Sequence, residues 1–397
     1  MKKIAFIKIG SFSGKNIFVF DFLKKYFPEC QVEVIDVWED LIPYKTWGHL
    51  FHALREYGLK VLWKNYATAV LRTGFFRDRV RTALKDRLEG QDWLFTFQTG
   101  SFFDGSMPGI PHFVYLDASQ ISIFKQIRLS GRSLIRSFSQ ELFHHRTGWS
   151  ERIRKEIAES IQAKFVQTPS KMAREKNVFE HAARVFTMSE YDRAVLIQDY
   201  EAAAEKILCV YSGPHVEPDP AQGAPPYEKK KILFIGSEWE RKGGPELLGA
   251  FRHIHARHPQ ATLTVVGCSP RLKDHGCIVL GRLTKEEVRQ QYQQASIFCV
   301  PTRVEAFGFV FVEAQYFRLP VLATSTGALP EIVQDEQTGY LVPPGDIQAL
   351  TGVLGDLLGN PQRCRDFGQN GAALVREQYN WDKTSDRMLR SMRDFLK

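Results

Sequence analysis

The chain has 397 residues, 44% hydrophobic and 25% charged, with 53 Lys and Arg against 45 Asp and Glu for a formal charge of +8. That length suits two domains of about 200 residues each, and the composition excludes disorder as the main state. The basic excess is concentrated in the first half: Lys45–Arg87 holds ten basic and three acidic residues, and Ser119–Lys155 holds eight and two, patches suited to an anionic surface or substrate.

In chain order, Met1-Lys2-Lys3-Ile4-Ala5-Phe6-Ile7 begins like a signal segment, but Lys8 ends the apolar run after four residues. A first strand, Ile4–Ile9, is the expectation. Ile9-Gly10-Ser11-Phe12-Ser13-Gly14-Lys15-Asn16 then misses a P-loop by one residue between its glycines and by Asn16 where Ser or Thr would hold Mg²⁺. Further strands are expected at Val32–Val37, Leu94–Phe97, Phe113–Asp117, Val185–Met188 and Ile207–Tyr211, with long helical stretches at Trp47–Leu88 and about Ile121–Ala163. The first stretch carries Trp47, Phe51, Leu54, Trp63, Arg72, Phe75, Phe76, Arg77, Arg79 and Arg81. Two readings stand: an interfacial helix on anionic lipid, giving peripheral membrane contact, or a helix with its apolar side packed inward and a solvated basic face. Nucleic acid is not expected, because no recognised binding motif accompanies the charge.

Gly213–Pro226 is dense in Pro and Gly and marks a domain boundary. Beyond it, strands are expected at Ile232–Ile235, Ala261–Val266, Ile278–Leu280, Ile297–Val300, Val321–Ala323 and Tyr340–Val342. Helices fit Pro245–His258, Lys285–Gln294, Val310–Phe317, Ile347–Leu358 and Gln362–Gln378, a βα rhythm that implies parallel sheets. No run of 18 apolar residues occurs. The six cysteines form no CxxC pair and no zinc-spaced cluster, and a reducing cytoplasm is the expected setting.

Chemistry is concentrated in Pro301-Thr302-Arg303-Val304-Glu305-Ala306-Phe307-Gly308-Phe309-Val310-Phe311-Val312-Glu313-Ala314. A strand ends, a loop follows, and a helix begins near Phe309, so that backbone N–H groups at its start can hold phosphate. Gly308 allows close approach to the main chain. Glu305 stands where a sugar attached to that phosphate would lie, and Glu313 where a carboxylate can accept from a ribose diol. Two surface glutamates flanking an apolar helix is the plainer alternative. A second constellation is Ile235-Gly236-Ser237-Glu238-Trp239-Glu240-Arg241-Lys242-Gly243-Gly244, in which Lys242 suits a diphosphate and Arg241 a bidentate contact.

Glu305 and Glu313 match the E-x7-E pattern of retaining GT-B glycosyltransferases, most closely family 4 (glycosyl transferases group 1). The resemblance runs on through Leu319–Val333 and Thr338-Gly339-Tyr340-Leu341-Val342-Pro343-Pro344-Gly345-Asp346 and covers nearly all of residues 231–380. It implies an α/β fold of two Rossmann-like domains facing a cleft: residues 1–215, acceptor-side, with 381–397 returning to them as a final helix, and residues 225–380, which bind the nucleotide sugar. It implies that Lys242 holds the donor diphosphate, that Gly236, Ser237, Phe309 and Val310 belong to the donor site, that Gly281-Arg282-Leu283 meets the base by backbone, and that Gly14 faces donor and acceptor, a plain β–α turn being the alternative at Gly14. Two positions depart from the family. Ser237 stands where an Arg is common, with Arg241 as the compensating candidate, and Asp117 stands where a His is common. A carboxylate about 5 Å from a phosphate charge costs roughly 3 kcal/mol at an effective dielectric of about 20, so Asp117 is expected to be paired or turned toward the acceptor. His112, at the other end of that strand, reads as structural.

The implied activity is transfer of a sugar from a UDP- or GDP-sugar to a hydroxyl of a glycan, lipid-linked or small-molecule acceptor. It proceeds with retention, without metal or cofactor, in the cytoplasm or at the inner face of the membrane. Glu305, Lys242 and Asp117 are the catalytic candidates. The alternatives are a sugar-nucleotide epimerase on the same fold and a non-catalytic sugar-nucleotide-binding protein.

Overall fold

A computed structural model of the chain describes residues 1–10, 14–42, 73–129, 169–221 and 223–396. The two expected helical stretches are seen only in part. Gly74–Leu88 and Gln120–Leu129 are helices, while Trp47 to Arg72 and the rest of the second stretch lie outside the described residues.

The chain divides into two compact units. Unit 1 comprises Met1–Ile121, Val166–Val210 and Ser385–Lys397, and unit 2 comprises Ser122–Phe165 and Tyr211–Thr384. These limits differ from 1–215 and 225–380, because the segment after Val210 is tied to unit 2. The Trp381 indole N–H donates to the Pro214 carbonyl at 2.8 Å, and a Cβ on Gly213 would sit 2.8 Å from that ring.

Unit 1 is built on β1 (Lys3–Lys8), β2 (Gln31–Asp36), β3 (Trp93–Thr99), β4 (His112–Leu116), β5 (Arg184–Thr187) and β6 (Ile207–Cys209), all parallel, in the order β2-β1-β3-β4-β5-β6. Strands buried on both faces read as unbroken apolar runs, and every residue of β4, His-Phe-Val-Tyr-Leu, is buried. Phe186 stacks on Phe97 and Phe113, with ring centroids 6.2 and 6.3 Å apart. Phe395, from the returning C-terminal segment, meets Phe113 edge-on at 5.9 Å. In the same segment Arg387 donates to the Val210 carbonyl at 3.1 Å, and Ser391 accepts from Arg184 at 3.0 Å.

Unit 2 carries β7 (Lys231–Ile235), β8 (Thr262–Val266), β9 (Cys277–Gly281), β10 (Ile297–Cys299), β11 (Val321–Thr324) and β12 (Gly339–Val342), again parallel, in the order β12-β11-β10-β7-β8-β9. Counted within the unit this is 3-2-1-4-5-6 read from the β9 edge, the doubly wound order whose direction reverses between its first and fourth strands, β7 and β10. Side chains start the crossover helices. Thr284 and Glu287 form a reciprocal capping box for Lys285–Gln294, Asp346 caps Ile347–Gly359, and Asn360 with Pro361 opens Pro361–Gln378. Every strand expected from the sequence is present, with ends shifted by one or two residues.

Candidate functional site

The loops after β7 and β10 leave the sheet of unit 2 at its switch point and lie against each other. Their closeness depends on glycine. Gly243, at φ +75°, precedes helix Gly244–Arg257, and a Cβ there would fall 1.9 Å from the Pro301 carbonyl oxygen. A Cβ on Gly244 would enter the Trp239 indole at 2.1 Å, and one on Gly236 would meet Lys242 Cγ at 2.9 Å. This contact brings Lys242 to Glu305.

The Lys242 ammonium and the Glu305 carboxylate form an ion pair in which each side chain is only 9% exposed. Burial pushes the Lys242 ammonium down, Glu305 pulls it back and Arg241 adds to the depression. The net value lies below that of an ordinary lysine. The Glu305 backbone N–H donates to Gln126 Oε1 at 2.7 Å, and Glu305 Oε1 accepts from the Ala306 N–H at 3.3 Å. Gly327, at φ +55°, leaves room for that amide, since a Cβ would come within 2.8 Å of Gln126 Nε2. Arg241 pairs with Glu238 and donates to the Val304 carbonyl at 2.7 Å, while its own carbonyl accepts the Arg303 N–H at 2.9 Å. Below them the buried Arg303–Glu246 pair ties the loop to helix Gly244–Arg257.

Helix Phe309–Tyr316 follows directly. Its N-cap is Gly308, at φ +111°, which supplies no side-chain cap for the first N–H groups, and a Cβ there would stand 3.5 Å from Glu305 Cγ. Glu313 is inside this helix and buried, as one Oε accepts from Tyr292 OH at 2.9 Å and the other from the His215 N–H at 3.1 Å. Burial raises its carboxyl to about 7 against the lowering effect of Tyr292 and the His215 and Val216 N–H groups. The His215 ring stacks on Phe309 at 4.1 Å and on Trp381 at 5.8 Å. At the far strand end, the Gly281 carbonyl accepts from the Gly267 N–H at 2.7 Å, Arg282 is exposed and Leu283 is half-buried. Ser237 is exposed.

In unit 1, Gly14 opens helix Gly14–Tyr26 and Lys15 follows in its first turn. Asp117 is paired: Lys15 Nζ stands 3.1 Å from its Oδ1, with side chains 18% and 41% exposed. Burial would raise the Asp117 carboxyl, but the Lys15 charge and hydrogen bond, with its own N–H and that of Ala118, hold it below the ordinary value. His112 is buried on Thr96 at 2.6 Å, and burial drives it down to about 4, consistent with a structural role. Glu175 is a buried carboxylate to which Ser101, Tyr200 and the Gln120 N–H all donate, and burial raises it to about 7.

The sequence-derived site thus separates by unit. Lys242, Glu305, Arg241, Gly236, Ser237, Gly308, Phe309 and Val310 line the two loops of unit 2, and Gly281, Arg282 and Leu283 end β9. Gly14 and Asp117 belong to unit 1. Arg241 fastens the loops, and Glu313 is held by protein groups. The sequence reading missed Gln126, Tyr292, His215 and the Arg303–Glu246 pair, which carry no motif. Lys15 was in view beside Gly14 without a role.

Residues 216–374 match the family model described as Glycosyl transferases group 1. A GDP-mannose-dependent alpha-(1-6)-phosphatidylinositol monomannoside mannosyltransferase of Mycolicibacterium smegmatis is 30% identical over 173 residues, 39% of this chain and 45% of that protein. A D-inositol 3-phosphate glycosyltransferase of Streptomyces scabiei is 28% identical over 250 residues, 55% and 56% of the two chains. The matches span about half the length of such curated relatives. Among solved structures, sucrose-phosphate synthase from Thermosynechococcus elongatus superposes with a TM-score of 0.66 at 18% identity over 99% of both chains. HepE of Anabaena, solved with UDP-glucose, gives 0.62 at 14% over 99% of this chain and 100% of that one. The fold is GT-B.

Proposed function

We propose, from the membership of residues 216–374 in the group 1 glycosyltransferases, that the protein transfers a sugar from a nucleoside-diphosphate sugar to a hydroxyl acceptor with retention at the anomeric carbon. The observation that carries this reading is the buried Lys242–Glu305 pair at the switch point, beside a helix N-terminus with no side-chain cap. A donor diphosphate replaces Glu305 as the partner of Lys242 and takes the N–H groups of Phe309 and Val310. Glu305, released, accepts from hydroxyls of the donor sugar. These groups stabilise the charge that grows on the leaving diphosphate, so the step needs no metal. No second carboxylate stands ready as a covalent nucleophile among the groups described around Lys242, which favours same-face transfer, with the leaving phosphate oxygen taking the acceptor's proton.

GDP-mannose and UDP-glucose are the first donors to test, since the names of the relative and of the solved complex carry them. The acceptor class is a glycan, lipid-linked or small-molecule hydroxyl. The basic stretch around Arg72–Arg81 supports a peripheral site at the inner membrane face, and among the described residues no helix is long and apolar enough to cross a membrane. The test is a turnover screen of purified protein against GDP-, UDP- and ADP-sugars in the presence and absence of EDTA. Released nucleotide with an extended α-linked acceptor is expected. An isomerised sugar nucleotide with no nucleotide released would place the chain among epimerases instead, and absence of binding by every donor would overturn the reading.

A further inference from the structure

Unit 2 has a second concave site that shares no residue with the Lys242–Glu305 loops. It is a cavity of about 310 Å³ whose charged lining is Arg318, Arg365 and Arg376, with Gln369 and Tyr227 beside them. Arg365, Gln369, Ala372 and Arg376 recur at i, i+4, i+7 and i+11 on helix Pro361–Gln378, which puts them on one face. Arg318 reaches the same cavity from the turn that ends helix Phe309–Tyr316, in a left-handed conformation with φ +62°. That conformation is locked. Tyr227 OH donates to the Arg318 carbonyl at 2.8 Å, and Gly368 lets the long helix press so close that a Cβ there would fall 2.0 Å from the same oxygen.

The charge balance is one-sided. Arg365 lies over the Tyr227 ring at 5.5 Å and reaches Glu228 at 3.5 Å, but that glutamate side chain is 68% exposed. Among the described residues neither Arg318 nor Arg376 forms an ion pair. Guanidinium groups stay charged at every physiological pH, so three cations face one concavity with one wet counter-charge. Such a site is repulsive when empty and favourable to an anion that offers several oxygens at once, which is what a phosphate presents to guanidinium forks. Ala224, Ala372 and the Tyr227 ring add an apolar wall for the carbon group attached to that phosphate.

We propose that this cavity binds a phosphate ester, from a soluble metabolite or from a phospholipid headgroup, at a site separate from the nucleotide-sugar site. The test titrates the full chain by calorimetry with glycerol 3-phosphate and, in parallel, sediments it with vesicles of phosphatidylcholine with and without phosphatidic acid. Wild type is compared with Arg365→Gln/Arg376→Gln and with Lys242→Gln. A tenfold or greater loss of glycerol 3-phosphate affinity in the double variant, with Lys242→Gln unchanged, is the expected result for a soluble ester. The same loss confined to phosphatidic acid vesicles identifies the headgroup as the source. Binding that Lys242→Gln removes and the double variant keeps assigns the phosphate to the donor site and overturns the proposal, as does the absence of saturable binding in both assays. Arg376→Gln alone, at an exposed position, keeps the comparison readable if the double variant lowers the melting temperature, and a threefold loss is then the expected effect.

Discussion

Each unit places a lysine beside the glycine at the entry of the first helix after its first strand, and each lysine meets a carboxylate just beyond another strand end. In unit 2 the pair is Lys242–Glu305, nearly sealed from water. In unit 1 it is Lys15–Asp117, with the aspartate 41% exposed. The geometry behind the difference is topological. Lys242 and Glu305 follow β7 and β10, neighbours in the sheet at its switch point, whereas Lys15 and Asp117 follow β1 and β4, which β3 separates. The first pair joins the loops of adjacent strands and both its side chains are 9% exposed, while the second spans an intervening strand and its aspartate keeps its contact with solvent. The buried pair is therefore costly to break by removing one partner, and the open pair holds the Asp117 charge at little cost.

The sharpest way to break the contrast is at the glycine that permits it. Gly243→Ala drives a Cβ to 1.9 Å from the Pro301 carbonyl at φ +75°, and a loss of at least about 4 kcal/mol is expected in urea denaturation. Among the described residues a Cβ on Gly10 in unit 1 meets only Trp38, at 3.5 Å, so the expected cost of Gly10→Ala is that of a left-handed alanine, about 1–2 kcal/mol. Lys242→Ala comes next. It leaves Glu305 buried without its counter-ion, which costs roughly 3–5 kcal/mol, and it lowers turnover about 10²–10³-fold. If full stability and turnover survive, Lys242 is not the diphosphate group. Replacing both partners, Lys242→Met with Glu305→Leu, is expected to restore most of the stability and none of the turnover.

The two buried carboxyls extend the comparison to pH. Glu313 in unit 2 and Glu175 in unit 1 are both raised to about 7. A carboxyl raised on folding supports stability that is complete below its ordinary value and lost as pH climbs through about 7, so each contributes a decline of up to about 3 kcal/mol between pH 5 and pH 8. Denaturation across that range is expected to show a fall that Glu313→Gln and Glu175→Gln each reduce. The ribose role expected of Glu313 from the sequence requires Tyr292 or the His215 N–H to give up its carboxylate oxygen, and donor binding by Glu313→Gln at pH 8 tests it: a loss supports the role. Undiminished binding would remove the ribose role. Tyr292→Phe takes one hydroxyl from Glu313, costs about 1–3 kcal/mol and moves the Glu313 midpoint higher still. Smallest is Lys15→Ala, where about 0–1 kcal/mol is expected, with a dependence on salt that the Lys242–Glu305 pair lacks.

The inner strands were legible because parallel strands buried on both faces must be apolar along their whole length, as in Ile232–Ile235 and Val321–Ala323, and the edge strands β2 and β9 by their place in the strand–helix rhythm. Lys242-Gly243 and the spacing of Glu305 from Glu313 were legible for a different reason: each lies in one short strand–loop–helix stretch of chain whose residue order can be read without the fold. Both kinds of signal are local. The amino-acid sequence by itself therefore determined the α/β class, the strand–helix rhythm and the residues at the two loops of unit 2.

Which partner each of those residues takes was decided by tertiary structure. Gln126 stands 179 positions from Glu305, and Asp117 stands 102 from Lys15. Glu313, about one turn into a helix and open by its sequence to a ribose, is enclosed by Tyr292 and the His215 backbone. A side chain's type states what it can bond, but only the sheet order and the close approach at Gly243 and Gly327 state which groups come within reach. The charge pair beside β7 is buried by that approach, whereas in the pair beside β1 the aspartate stays 41% exposed.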